Sequence, residues 1–154
     1  MTTFPDFPGE SRESVLTVHN PSKFDLPVRH SVLERLLQII EKEEEVSFNL
    51  VELVYVNEKE ILKINKEYLD RDYVTDIISF NYEDDPKKGI EGTLYCCAPR
   101  IAEQSDEVET DKEQEFYRIF IHGLLHLAGY DDAAPKEKET MTQLENHYLE
   151  QLGN

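Results

Sequence analysis

The sequence is poor in basic residues and in cysteine, and it has no long apolar run. Lysine and arginine number 16 against 33 aspartates and glutamates, a formal net charge of −17 with neutral histidines. That balance excludes a protein that grips nucleic acid over its whole surface, because such affinity rests on neutralising phosphates with lysine and arginine. A small local site remains open to it. No window approaches the ~18 apolar residues of a membrane span. The opening residues Met1-Thr2-Thr3-Phe4-Pro5 also lack the basic and then apolar pattern of a secretory leader. The cytoplasm is the expected compartment, with no membrane partner. Only two cysteines occur, Cys96 and Cys97. Adjacent cysteines are badly placed for a mutual disulfide and match no zinc-pair spacing, so they read as strand thiols, one in the core and one near the surface.

What is present suffices for one folded domain. The 154 residues are 39% hydrophobic and include eight tyrosines and seven phenylalanines. A chain of about 150 residues buries roughly 70% of the surface its unfolded form exposes. No internal repeat or long low-complexity stretch divides it. Residues 1–13, with Pro5, Pro8 and Gly9, read as a loose arm, and residues 14–154 as a single domain.

Periodicity places the elements. Val15 to His19 reads as a short strand, and Val32, Leu33, Leu36, Leu37 and Ile40 recur at helical spacing over Arg29–Lys42. Phe48 to Val56 has apolar residues on both faces, the mark of an interior strand. Asn57 with Glu60 resembles a capping box, opening a helix that ends near Tyr68 and buries Ile61, Leu62, Ile64, Tyr68 and Leu69. Thr75–Tyr82 and Gly92–Cys97 are β-rich and joined by turn residues Asp84 to Gly89. Asp106 to Glu115 is a charge run, read as a solvated loop and a first helical turn capped by Asp111. Phe116 to Ala128 is apolar all round, as a buried helix is. Pro135 suits a first helical position, and Met141, Leu144, Tyr148, Leu149 and Leu152 continue an amphipathic C-terminal helix. The expected fold class is α+β.

The chemistry concentrates in one segment, His122-Gly123-Leu124-Leu125-His126-Leu127-Ala128-Gly129-Tyr130-Asp131-Asp132. Histidines four apart project from the same face of a helix and can ligate one ion. Gly129 permits the left-handed turn that ends a helix, after which Asp131 or Asp132 can return beneath the imidazoles as a third ligand. A bare pair of histidines at this spacing is commonly two core residues with unrelated partners. Here both lie on a helix of isoleucine, phenylalanine and leucine, where a neutral imidazole is costly to bury alone and a metal satisfies both at once. Three protein ligands with a fourth position for water is the pattern of a catalytic zinc site, whose water is acidified towards neutrality. A zinc peptidase of the metzincin kind shares this spacing, but it carries its general base as a glutamate directly after the first histidine, where Gly123 stands.

The segment resembles the His-Gly-x-Leu-His-Leu-x-Gly-Tyr-Asp-His signature of the YbeY family of bacterial single-strand-specific endoribonucleases. Upstream, Ile64 to Phe80 is similar to that family's Leu-Asn-x-x-Tyr-Arg-x-x-Asp-x-Pro-Thr-Asp-Val-Leu-Ser-Phe segment, and the resemblance runs from about residue 48 to the end. It implies a small mixed sheet with a buried central metal-binding helix and flanking helices. It further implies zinc-dependent cleavage of single-stranded RNA, with roles in 16S ribosomal RNA 3′-end maturation and ribosome quality control. RNA and the small ribosomal subunit would be its partners, and not DNA.

On that resemblance the metal ligands are His122, His126 and Asp132, the last standing where the family has histidine. Carboxylate is an accepted zinc ligand, so one Zn²⁺ per chain is expected. The family's arginine after the tyrosine is Leu69 here, and Arg71 is the substitute expected to act on the phosphate during catalysis. Thr93 replaces an aspartate at the start of the following strand. Lys59, Lys63, Lys66 and Arg71 would form a local positive strip, with Lys66 and Tyr130 expected to contact substrate. The main rival reading is a non-catalytic ribosome-assembly factor whose metal is structural.

Overall fold

The computed structural model describes residues 15–83 and 85–153, so the arm expected over residues 1–13 lies outside the described residues. In chain order the elements are β1 (Leu16–His19), α1 (His30–Glu44), β2 (Phe48–Val56), α2 (Glu58–Leu69), β3 (Ile77–Asn81), β4 (Ile90–Cys97), α3 (Ala98–Glu107), α4 (Lys112–Leu127) and α5 (Pro135–Leu152). The strands form one sheet in the order β1-β2-β4-β3. β1 and β4 run parallel to β2, while β3 lies antiparallel to β4 at the edge. This is the expected α+β class with a mixed sheet. Parallel neighbours need crossover helices, which α1 supplies between β1 and β2.

The two-faced apolar pattern of β2 follows from its interior position. Val51, Leu53 and Tyr55 enter the main core beneath α1, α4 and α5, while Val56 lies in a smaller cluster under α2 with Ile61, Ile78 and Cys97. Phe116, Ile119, Phe120, Ile121, Leu124, Leu125 and Leu127 make α4 the buried axis of the main core. Each such side chain contributes about 1.5–3 kcal/mol by leaving water. Among the described residues no helix is long and apolar enough to cross a membrane.

Several expectations need correction. Helix α3 was not anticipated: it begins directly where β4 ends, with Pro99 in its first turn and Ala98, Ile101, Ala102 and Ser105 buried at helical spacing. Its last turn takes in Asp106 and Glu107 from the supposed loop, whereas the helical turn expected after Asp111 is present, with Glu115 buried rather than solvated. Asp111 occupies the N-cap position of α4 but makes no side-chain cap bond. Asn57 does accept from the Glu60 N–H at 2.9 Å. Tyr68 and Leu69, expected inside, are 66% and 38% exposed, and the buried residues of α2 are Ile61 and Asn65. The side-chain amide of Asn65 donates to the Tyr73 carbonyl and the Asn65 backbone carbonyl accepts from the Arg71 N–H, so the exit of α2 is held by a polar residue. Both cysteines are free and fully buried, on opposite faces of β4, so neither is near the surface.

Candidate metal centre

α4 lies directly against the sheet, and that contact sets which of its side chains can be large. A Cβ on Gly123 would stand 2.7 Å from the Ile77 Cδ1 and 2.8 Å from the Leu94 Cδ1. The residue after the first histidine therefore points into the packed sheet, where a peptidase-type glutamate has neither room nor access to a substrate. His122 and His126 are rotated off that contact and lie side by side on α4. Their rings meet edge to face at 4.6 Å, and their Nε2 atoms are 3.0 Å apart.

The helix then ends in a paired backbone motif. Gly129, at φ 110°, donates its N–H to the His126 carbonyl, and the Tyr130 N–H reaches the Leu125 carbonyl. These two bonds satisfy the last carbonyls of α4 and reverse the chain. The reversal brings Asp132 to the histidines: one carboxylate oxygen is 3.3 Å from His122 Nε2 and the other 3.6 Å from His126 Nε2. Asp131 is exposed, and the triad that converges consists of His122, His126 and Asp132.

These residues fit a small divalent ion. One ligand atom from each residue lies within 4.8 Å of the others, and the two Nε2 atoms, 3.0 Å apart, are close to the ~3.3 Å edge of a tetrahedron built on zinc–ligand bonds of about 2.0–2.1 Å. The donor set, two neutral nitrogens and one anionic oxygen, suits zinc or a similar borderline cation.

Sequence reasoning missed what stands behind the triad. His122 Nδ1 bonds Glu145 on α5 at 2.6 Å, and that carboxylate also takes Arg118 Nη1 at 3.2 Å. Arg118 Nε lies 3.6 Å from Glu115, which accepts from Gln104 at 3.2 Å. A carboxylate on Nδ1 fixes the tautomer in which Nε2 carries the free lone pair. Burial pulls the His122 pKa down, but the Glu145 hydrogen bond and the charges of Glu145, Asp132 and Asp76 outweigh it and hold the group above its ordinary value. Burial likewise lifts the Glu115 carboxyl, against the pull of Gln104 and Arg118. A signal for Glu145 did exist: it sits on the Met141/Tyr148 stripe of α5, where an acid has no business unless it is paired.

The other expected site residues lie elsewhere. Tyr130 packs its ring against the main core and donates its hydroxyl to Glu44 at 2.6 Å, sharing that carboxylate with Tyr148. It anchors the loop that carries Asp132. Lys66 pairs with Asp72 at 3.4 Å, both exposed, and Arg71 is exposed in the segment after α2. No hydrogen bond or ion pair found among the described residues joins Lys66 or Arg71 to the triad. Lys59, Lys63 and Lys66 line a shallow groove along the outer side of α2.

The fold and the triad together define an α+β protein built around a buried helix whose two histidines meet an aspartate in a group able to hold a metal ion. The family model for Endoribonuclease YbeY matches residues 18–153, and the chain belongs to that family. The endoribonuclease YbeY of Salinibacter ruber is 38% identical over 124 residues, covering 76% of this chain and 79% of the relative. That of Chlorobium luteolum is 36% identical over 137 residues, covering 89% of this chain and 97% of the relative. A Thermotoga maritima protein solved in solution shares the fold with a TM-score of 0.64 at 27% identity, covering 88% of this chain and 87% of its own.

Proposed function

We propose that the protein is a zinc-dependent endoribonuclease that cuts single-stranded RNA, acting in the cytoplasm on the 3′ end of small-subunit ribosomal RNA. The observation that carries this reading is the convergence of His122, His126 and Asp132 with Glu145 locked behind His122. Membership of a family of endoribonucleases supports RNA as the substrate.

His122 and His126 would hold the ion through Nε2 and Asp132 through a carboxylate oxygen. When bound there, zinc supplies Lewis-acid charge to a phosphoryl oxygen and lowers the pKa of a water. Glu145 keeps the His122 proton on Nδ1, so the ring stays a donor to the carboxylate and a ligand at the other edge. Gly123 lets α4 sit against the sheet, which fixes both imidazoles on a rigid element. Arg71 is the cation available at the exit of α2 to meet a phosphate as charge develops on it, and Lys66 offers weaker, non-directional attraction.

The test is incubation of the zinc-loaded full chain with a single-stranded RNA and with the same sequence in a duplex. The expected result is cleavage of the single strand, lost in His126→Ala and reduced in Arg71→Ala. A 2′,3′-cyclic phosphate on the product would identify attack by the ribose 2′-hydroxyl, and a 5′-phosphate attack by water. Intact RNA in the presence of stoichiometric zinc, with ribosome association retained, would reject the reading in favour of an assembly factor with a structural metal.

A further inference from the structure

The face of the sheet turned away from α4 is covered at one end only. Ile61 and Ile64 of α2 close over Val56, Ile78 and Cys97. At the other end Leu50 and Tyr82 are 37% and 60% exposed, and Tyr68, at the last turn of α2, is 66% exposed. Among the described residues the remaining exposed large apolar side chains are Leu69 and Tyr73, close to Tyr68 in the chain, and Val108 at the end of α3. Three of these six side chains, Leu50, Tyr68 and Tyr82, thus lie on or beside this one sheet face, as on a surface that binds something.

The patch is aromatic and ordered. Tyr68 stands edge-on to Phe80 at 5.6 Å and Phe80 edge-on to Tyr95 at 5.9 Å. The exposed Tyr82 is tethered: its hydroxyl donates to Thr93 at 2.9 Å, and the Thr93 hydroxyl donates to Glu52 at 3.0 Å. A ring held by its own hydroxyl loses little further freedom when a partner stacks on it. The patch also borders the metal centre. Asn81, the residue before Tyr82, donates its side-chain amide to the carbonyl of Leu127, the residue after His126, at 3.0 Å.

We propose that Tyr68 and Tyr82, with Phe80 and Tyr95 beneath them, form a stacking subsite for the unpaired bases of an RNA strand that reaches the histidine triad across β3. The proposal deepens the ribonuclease reading and rests on it. Charge gives the strand little purchase. Lys66 and Arg71 near Tyr68 are interleaved with Glu67, Asp70 and Asp72, and Lys66 is paired with Asp72, while Glu52 and Glu91 stand at the Tyr82 end. Stacking on the rings, rather than phosphate attraction, is therefore what holds the strand. Every base has a π-face, so such a site is tolerant of sequence and closed to a duplex, whose bases are already stacked on one another. It also accounts for how a protein of charge −17 holds RNA: stacking replaces part of the phosphate neutralisation that its surface lacks.

The test measures affinity of the zinc-loaded full chain for a fluorescent, non-cleavable 2′-O-methyl phosphorothioate single strand, and for the same strand with abasic residues. Tyr68→Ala and Tyr82→Ala should each weaken binding of the intact strand about tenfold and raise KM for cleavable RNA, while zinc content stays at the wild-type level. Tyr82→Phe, which keeps the ring, should bind within about twofold of wild type, and abasic RNA should not distinguish wild type from the alanine variants. Unchanged affinity in both alanine variants, or abasic RNA bound as tightly as intact RNA, would overturn the subsite while leaving an active wild type to support the ribonuclease reading. A zinc-loaded wild type that neither binds nor cleaves single-stranded RNA would overturn both.

Discussion

Helix α5 carries two members of histidine–carboxylate pairs, and they could hardly differ more. His147 bonds Glu43 of α1 through Nε2 at 2.8 Å, with side chains 49% and 39% exposed. His122 bonds Glu145 through Nδ1 at 2.6 Å, with side chains 19% and 10% exposed. The first pair spends its Nε2 on the carboxylate, shares both groups with Gln151 and stands in water. The second uses the inner nitrogen for the carboxylate and turns the outer one towards a second imidazole and an aspartate. Chemically alike pairs thus become a surface tie in one place and the support of the proposed metal site in the other. The difference lies in which ring nitrogen is committed and in how much water is excluded.

That contrast ranks the consequences of breaking each part. His126→Ala, which removes a ligand, should abolish stoichiometric zinc and RNA cleavage together, as read by elemental analysis and a gel assay. Asp132→Ala should lose most metal affinity while Asp131→Ala keeps it, and equal losses in the two would undo the assignment of the third ligand. Glu145→Gln keeps the shape of the support but not its charge, so zinc affinity should fall about 10–100-fold with the fold intact; a competition titration against a chelator measures it. Gly123→Ala should destabilise the chain by about 1–3 kcal/mol through overpacking against Ile77 and Leu94, visible in a urea melt. At the bottom of the scale, His147→Ala should change stability by less than ~1 kcal/mol, as exposed ion pairs do, and leave zinc content untouched.

The surface pair also carries a pH signature of definite sign. Hydrogen bonds from His147 and Gln151 hold the Glu43 carboxyl below its ordinary value of 4.5. A depressed carboxylate contributes stability above its unfolded pKa and loses it as pH falls through the folded value. Urea melts of wild type and His147→Ala should therefore differ slightly near neutrality and converge in acid. A difference that grows in acid would contradict the pairing.

The sequence disclosed the parts of this molecule whose pattern is local. The apolar pattern gave the bounds of the interior strand β2 and the buried length of α4 from Phe116, while the four residues before it were marked only by Asp111 as a cap. The spacing of His122, His126 and Gly129 was sufficient to anticipate that Asp131 or Asp132 returns to the imidazoles, since the helical repeat and one left-handed glycine determine it, and the family resemblance chose Asp132. Glu145 was not visible this way, for its partner is 23 residues distant and only the packing of α5 on α4 joins them. Helix α3 escaped because it follows β4 with no intervening turn and its buried face is made of alanine, serine and a single isoleucine. Tyr68 and Leu69 misled in the opposite direction: they sit at helical spacing for burial, yet Tyr68 meets the sheet only edge-on at Phe80 and leaves most of its surface in water, and an apolar pattern cannot say where the covering layer stops.

The central claim is that the triad backed by Glu145 is a metal centre, and metal content tests it most directly. Untagged wild type and His126→Ala, purified in parallel without chelator, loaded with zinc and freed of excess, would be compared by elemental analysis. The account predicts one zinc per chain in the wild type and none in the variant. Absence of stoichiometric metal in the loaded wild type, or the same content in both proteins, would contradict it.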